Sequence, residues 1–186
     1  MSAQMPTIRI GILGCGVVGS QVATQLLRHQ GELSTRSGAE LVLTKIAVRD
    51  TNLVREGIDP SLFTADAKSV VTNPEIDLVV ELMGGIEPAR EFILLAIENG
   101  KSVITANKAL LATHGADLYS AADARGVDLY YEAAVAGAIP ILRPLRESLV
   151  GDHVTRIMGI VNGTTNYILT KMDEDGLAFV EALEGA

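Results

Sequence analysis

The chain is poor in cysteine, in aromatic side chains and in positive charge, and each shortage removes a class of function. Cys15 is the single cysteine in 186 residues, so no internal disulfide can form and a reducing cytoplasm is the expected location. Aromatic residues make up 4 % of the chain, too few for a platform on which single-stranded nucleic acid could stack. Lysine and arginine number 15 against 23 aspartates and glutamates, and the resulting net charge of −8 offers no basic face to a phosphate backbone. No apolar run reaches membrane-spanning length, and the opening MSAQMPT lacks the basic-then-apolar pattern of a secretory signal. Neither nucleic acid nor membrane is therefore an expected partner. No internal repeat or heptad run is visible.

What is present is the composition of a globular protein, 48 % hydrophobic and 20 % charged, on a chain long enough to bury a substantial core. Its most informative stretch is IRIGILGCGVVG at 8–19, a β-branched strand running into glycines at 14, 16 and 19. In such a fingerprint the first glycine allows a tight turn, the second lets a pyrophosphate approach the backbone, and the third lets the following helix pack on the strand. Free N–H groups at that helix start would face the anion. Val22, Ala23, Leu26 and Leu27 recur at helical spacing behind it. Cys15, between two of the glycines, reads as a small packing residue and not as a nucleophile, since no histidine lies nearby in sequence.

The rest of the chain alternates in the same way. A polar loop is expected over 31–38, then a strand over 40–48, an apolar strand over 77–85 ending in a double glycine, and a helix from about Pro88 to 99–100. A short strand over 101–105, a helix over 107–125 stopped by Gly126 and a strand over 127–131 follow. This is the pattern of an α/β, Rossmann-type, doubly wound parallel sheet with right-handed crossovers. A ligand should lie beyond the C-terminal strand ends, where residues 14–19, Arg49-Asp50, the 83–85 segment with Gly84, and 106–108 all fall. Pro140 is expected to lead a helix out of this sheet, dividing a domain over 1–140 from the beginning of a second, α+β domain over 141–186 whose first strand spans 154–161.

Three clusters carry candidate chemistry. At the second strand end a carboxylate would favour a free ribose 2′-hydroxyl and an arginine a 2′-phosphate, and Asp50 and Arg49 provide both. Lys108 stands at a strand end and helix start, where a cation is mildly disfavoured unless something anionic is near. In YEAAVAGAIPI at 131–141, one carboxylate and several exposed carbonyls would suit a hard cation, although on spacing alone a tight structural turn is preferred. Finally, Thr164 or Thr165 in NGTTN can cap the helix that follows.

Taken in order, GILGCGVVGSQV, ELMGG, VITANKALLA, YEAAVAGAIPI and GIVNGTTNYIL closely resemble homoserine dehydrogenases, over nearly the whole chain from Ile8 to about Met172. The resemblance implies an NAD(P)-dependent oxidoreductase interconverting L-homoserine and L-aspartate 4-semialdehyde in threonine and methionine biosynthesis. It implies that Leu13, Gly14, Gly16, Val17, Val18 and Gly19 bind the cofactor, with Gly84 at the third strand end, and that Arg49 meets a 2′-phosphate, tilting the choice to NADPH over NADH. Lys108 matches the family's lysine beside nicotinamide and substrate. Glu132 with the carbonyls of Val135, Gly137 and Ile139 matches a monovalent cation site, usually sodium, and Gly163 and Thr164 match the segment near the substrate's amino-acid end. The full-length protein would be a homodimer. The family's general-acid lysine has no counterpart here, since Lys171 cannot be matched to it, so this chain is expected to carry mainly the cofactor-binding part and to turn over poorly. The alternatives are another semialdehyde reductase on the same fold, or a nucleotide-binding module without chemistry.

Overall fold

The computed structural model describes residues 5–186, and the first four residues of MSAQMPT lie outside them. By its internal contacts the chain divides into Met1–Pro140 and Ile141–Ala186. The first unit holds six parallel strands, β1 (Thr7–Leu13), β2 (Glu40–Ala47), β3 (Phe63–Thr64), β4 (Leu78–Glu81), β5 (Ser102–Thr105) and β6 (Leu129–Tyr130), in the order β3-β2-β1-β4-β5-β6. The order reverses between β1 and β4, which leaves a crevice beyond their C-terminal ends.

Because successive strand residues face opposite sides of a sheet, neighbouring positions feed two cores. Ile12 and Val80 pack with Ala23 of α1 (Val17–Arg28), whereas Leu13 and Val79 pack with helices on the other face: α3 (Ala67–Thr72), α4 (Ala89–Glu98) and α5 (Lys108–Arg125). Both faces are thus covered, which is why the central strands are mostly apolar rather than alternating. The expected strands and the two long helices of this unit appear within a few residues of their expected bounds. Asn107 caps α5 by accepting the Leu110 N–H at 3.1 Å, and Gly126 ends it in the left-handed region at φ 65°.

Other expectations need correction. The polar segment read as a loop over 31–38 is a helix, α2 (Gln30–Ser37). It is held by local bonds that hydropathy does not register: Thr35 Oγ1 donates to the Gly31 carbonyl, Arg36 pairs with Glu32, and the buried Ser34 hydroxyl accepts the Leu41 N–H. β3 and α3, too short to give a periodic signal, went unforeseen; Asp66 caps α3 by accepting the Ser69 N–H.

In the second unit, α6 (Gly163–Glu174) and α7 (Phe179–Glu184) pack together, with Ile168 and Ala182 buried. Residues 154–161, expected to be a strand, contain no regular structure, whereas the helical segment expected from Pro140 begins at Leu142 and runs through Pro144–Ser148. A strand exists only where a neighbour takes its N–H and C=O groups, and no strand occurs among the described residues of this unit. Ile157, Met158, Ile160 and Val161 are consequently exposed. Among the described residues no helix is long and apolar enough to cross a membrane.

At the N-terminal edge of the sheet, buried Lys101 donates from Nζ to the carbonyls of Asn73 and Ile76, both at 2.6 Å. Burial pushes its ammonium below the usual lysine range, and Asp77 pulls it part of the way back. Lys101→Met removes this donor from the Ile76 carbonyl and leaves the Asn73 carbonyl only the Ile76 N–H at 3.1 Å, and is expected to cost about 2 kcal/mol. Urea denaturation measures this, and an unchanged midpoint would show that the loop over 73–76 does not need the lysine.

Candidate functional site

The glycine turn is built by backbone sterics. Gly14 has φ 94°, and a side chain there would meet the Leu82 carbonyl oxygen at 2.8 Å. A Cβ on Gly19 would collide with the Gly14 carbonyl oxygen, whereas one on Gly16 would meet nothing within 4 Å. The first and third glycines therefore close the turn, and the second borders open space. α1 has neither a side-chain cap nor an acid in its first turn, so its leading N–H groups face outward with an unopposed partial positive charge. Val17 and Val18, which open the helix, are 87 % and 57 % exposed. These features fit a phosphate-bearing dinucleotide.

Gly14, Arg49 and Gly84 line one cleft of about 610 Å³, across the point where the strand order reverses. Lys68 in the first turn of α3 lines the same cleft. Sequence reading missed Lys68 because it missed α3; the signal available was Asp66, a capping residue just ahead of Val70 and Val71. Arg49 and Lys68 are exposed at this edge, free to meet an anion, with Asp66 and Glu87 as the acidic members of the lining. Leu13, expected among the cofactor contacts, has its side chain wholly in the core; its carbonyl accepts the Leu82 N–H at 2.8 Å.

The loop after β2 is fastened over the glycine turn by Arg55. Its Nε donates to the Cys15 carbonyl at 3.0 Å, its Nη1 donates to the carbonyls of Asp50 and Leu53, and its guanidinium lies 4.9 Å from the Phe63 ring centre. Cys15 itself is buried, and desolvation raises its thiol pKa against the opposing pull of Arg55.

Lys108 is exposed on the first turn of α5 and lines a separate groove of about 630 Å³ with Tyr131 and Val135. Glu132 opens a 3-10 turn, Glu132–Ala134, and Ala136 and Ala138 follow with φ of 50° and 67°. Gly137 lies between them and Ile139 donates its N–H to Ala136. One carboxylate among neutral carbonyls is a donor set for a hard monovalent cation. Among the described residues no cluster of three or more His, Cys, Asp or Glu exists for a more highly charged metal. Gly163 and Thr164 lie in the first turn of α6, whose cap is Asn162 accepting the Thr165 N–H, so neither threonine caps that helix. Lys171 pairs with Asp175 at 2.6 Å, which raises its pKa.

Beneath the cleft floor runs a hydrogen-bond circuit that sequence reading did not single out. Glu81 at the end of β4 is fully buried; its Oε1 accepts the N–H groups of Met83 and Gly84 at 2.7 and 3.2 Å, and its Oε2 accepts the Thr105 hydroxyl at 2.6 Å. The only hint in sequence was a carboxylate closing an otherwise apolar strand.

Residues 14–132 match the family model described as homoserine dehydrogenase, NAD binding domain, and residues 140–186 match the model described as homoserine dehydrogenase. A homoserine dehydrogenase of Corynebacterium glutamicum is 50 % identical over 96 % of this chain, which spans 40 % of that relative. The crystal structure of a homoserine dehydrogenase from Thiobacillus denitrificans superposes with a TM-score of 0.81 at 46 % identity, covering 98 % of this chain and 42 % of that one. A hyperthermophilic archaeal homoserine dehydrogenase in complex with NADPH superposes with a TM-score of 0.75 at 27 % identity, covering 97 % of this chain and 60 % of that one.

The glycine geometry separates two variants. Gly19→Ala drives a Cβ into a backbone oxygen that cannot move aside and is expected to destabilise by about 3 kcal/mol. Gly16→Ala, with open space before it, should melt within a few degrees of the parent. Thermal denaturation of both compares them directly, and equal melting would contradict the assignment of the third glycine to packing.

Proposed function

The chain belongs to the homoserine dehydrogenase family, and on that premise we propose that residues 1–140 hold a nicotinamide cofactor, NADPH in preference to NADH, for the interconversion of L-homoserine and L-aspartate 4-semialdehyde. The observation that carries this reading is the meeting of Gly14, Arg49 and Gly84 in one cleft at the sheet's reversal point. The matched relatives are longer proteins, and the complete reaction is proposed for the full-length enzyme.

The bound cofactor supplies the hydride for the aldehyde carbonyl. The chain's own groups bind and orient. The leading N–H groups of α1 neutralise the pyrophosphate, and open Gly16 lets it approach. Arg49 meets the ribose 2′-phosphate from the end of β2. Lys108 places positive charge where an alkoxide develops during reduction. Residues 141–186 begin the substrate and dimerisation domain of a cytoplasmic homodimer, with Gly163 and Thr164 toward the substrate's amino-acid end. Glu132 and the carbonyls of Val135, Gly137 and Ile139 hold sodium. No residue here is assigned as proton donor, and Lys171 is engaged with Asp175.

NADPH fluorescence titration tests the cofactor reading: saturable binding is expected, and its absence would refute it. Arg49→Ala should weaken NADPH about tenfold and leave NADH within about twofold, a difference of about 1.4 kcal/mol. With aspartate 4-semialdehyde added, little or no NADPH oxidation by these 186 residues is expected, and saturable oxidation would place a proton donor among them. For the cation, sodium should raise the melting temperature of the parent chain above that in matched potassium-free, sodium-free buffer, and Glu132→Gln should remove the increment.

A further inference from the structure

Among the described residues Glu81 is the only buried carboxylate, and its bonds form a closed circuit. It receives the N–H groups of Met83 and Gly84 on one oxygen and the Thr105 hydroxyl on the other. Having given its proton to Glu81, the Thr105 hydroxyl is free to accept the Asn107 N–H, at 3.1 Å. The Asn107 side chain then accepts the Leu110 N–H at 3.1 Å and donates to the Gly85 carbonyl at 2.6 Å, returning to the loop that Glu81 holds. Glu81 accepts at both oxygens and so sets the direction of the Thr105 hydroxyl, while the Asn107 amide is set by its cap on Leu110.

The circuit joins two pieces of backbone. One is the loop after β4, where Gly84 and Gly85 both have positive φ, at 73° and 75°, and which therefore has the most conformational freedom to lose. The other is the turn before α5 that presents Lys108. Arg49 belongs to the β1–β3 half of the sheet, so a dinucleotide whose phosphorylated ribose sits there extends its second nucleoside across the reversal point, over the ends of β4 and β5.

We propose that Glu81 is a positioning residue for the nicotinamide half of the site, fastening the Gly84-Gly85 loop and the Lys108 turn into one unit without touching the cofactor. The inference rests on the cofactor reading above. An amide cannot replace the carboxylate: its NH₂ must face either the Met83 and Gly84 N–H groups or the Thr105 hydroxyl, and the second choice puts a donor where that hydroxyl's own proton finds its acceptor, Glu81 Oε2.

The test compares two ligands, NADPH and 2′,5′-ADP, which keeps the phosphorylated ribose and lacks the nicotinamide. Glu81→Gln is expected to weaken NADPH about tenfold in fluorescence titration, while 2′,5′-ADP, which meets Gly84 in the Arg49 cleft but not the Lys108 turn, weakens no more than about threefold by calorimetry. Thr105→Val, nearly isosteric, should give the same split, and Thr105→Ser should restore parental binding; this pair carries the test if Glu81→Gln does not fold. Unchanged NADPH affinity in the variants overturns the proposal, and so does an equal loss of both ligands, which would mean general support of the sheet edge. If the parent chain binds neither ligand, the cofactor reading falls and this inference with it.

Discussion

The ligand edge of this protein depends on where its central strand stops. Leu13 gives its carbonyl to Leu82 on one side, and Gly14, one residue later, gives its N–H to the Ala47 carbonyl on the other, at 2.9 Å. The chain must then turn at once, and only a backbone without a Cβ at Gly14 and Gly19 can do so against the Leu82 and Gly14 carbonyls. From that turn follow the direction of α1, the exposure of its first N–H groups and the crevice into which Arg49, Lys68 and Gly84 open. A single steric constraint is thereby converted into an electrostatic feature.

That feature explains how a chain of net charge −8 can be built to hold a polyanion. The attraction is local: aligned peptide dipoles with Arg49 and Lys68, beside the acidic Asp66 and Glu87 of the same lining, act within a Debye length, about 8 Å at physiological ionic strength, so charges elsewhere on the surface are largely screened from the site. Overall charge argues against a nucleic-acid backbone as partner because that needs an extended basic face. It carried no information about a site the size of one dinucleotide.

What could be read from the amino acids follows the range of the interaction responsible. β1, α1 and α5 announce themselves through apolar spacing and local stop signals such as Gly126, so their positions were legible. α2 was not, because its stability comes from side-chain bonds within a polar stretch and from Ser34 reaching β2. The region over 154–161 has a strand's pattern without a strand's partner, a difference no local rule detects. In the site, the glycines and Arg49 were visible because their places in the cleft are set by position relative to a strand end. Glu81 was not, since its role depends on register: β4 and β5 place it opposite Thr105, 24 residues away in sequence.

Cys15 occupies the middle of the glycine turn, where a reactive group would be a liability to any anion site. Desolvation raises the pKa of its thiol against the pull of Arg55, which closes the loop above it. Peroxide reacts with thiolate, the form that a raised thiol pKa disfavours. The most conformationally demanding turn of the molecule thus carries the chain's one cysteine with its sulfur turned away from solvent, so the tightest bend is also the least open to thiol chemistry.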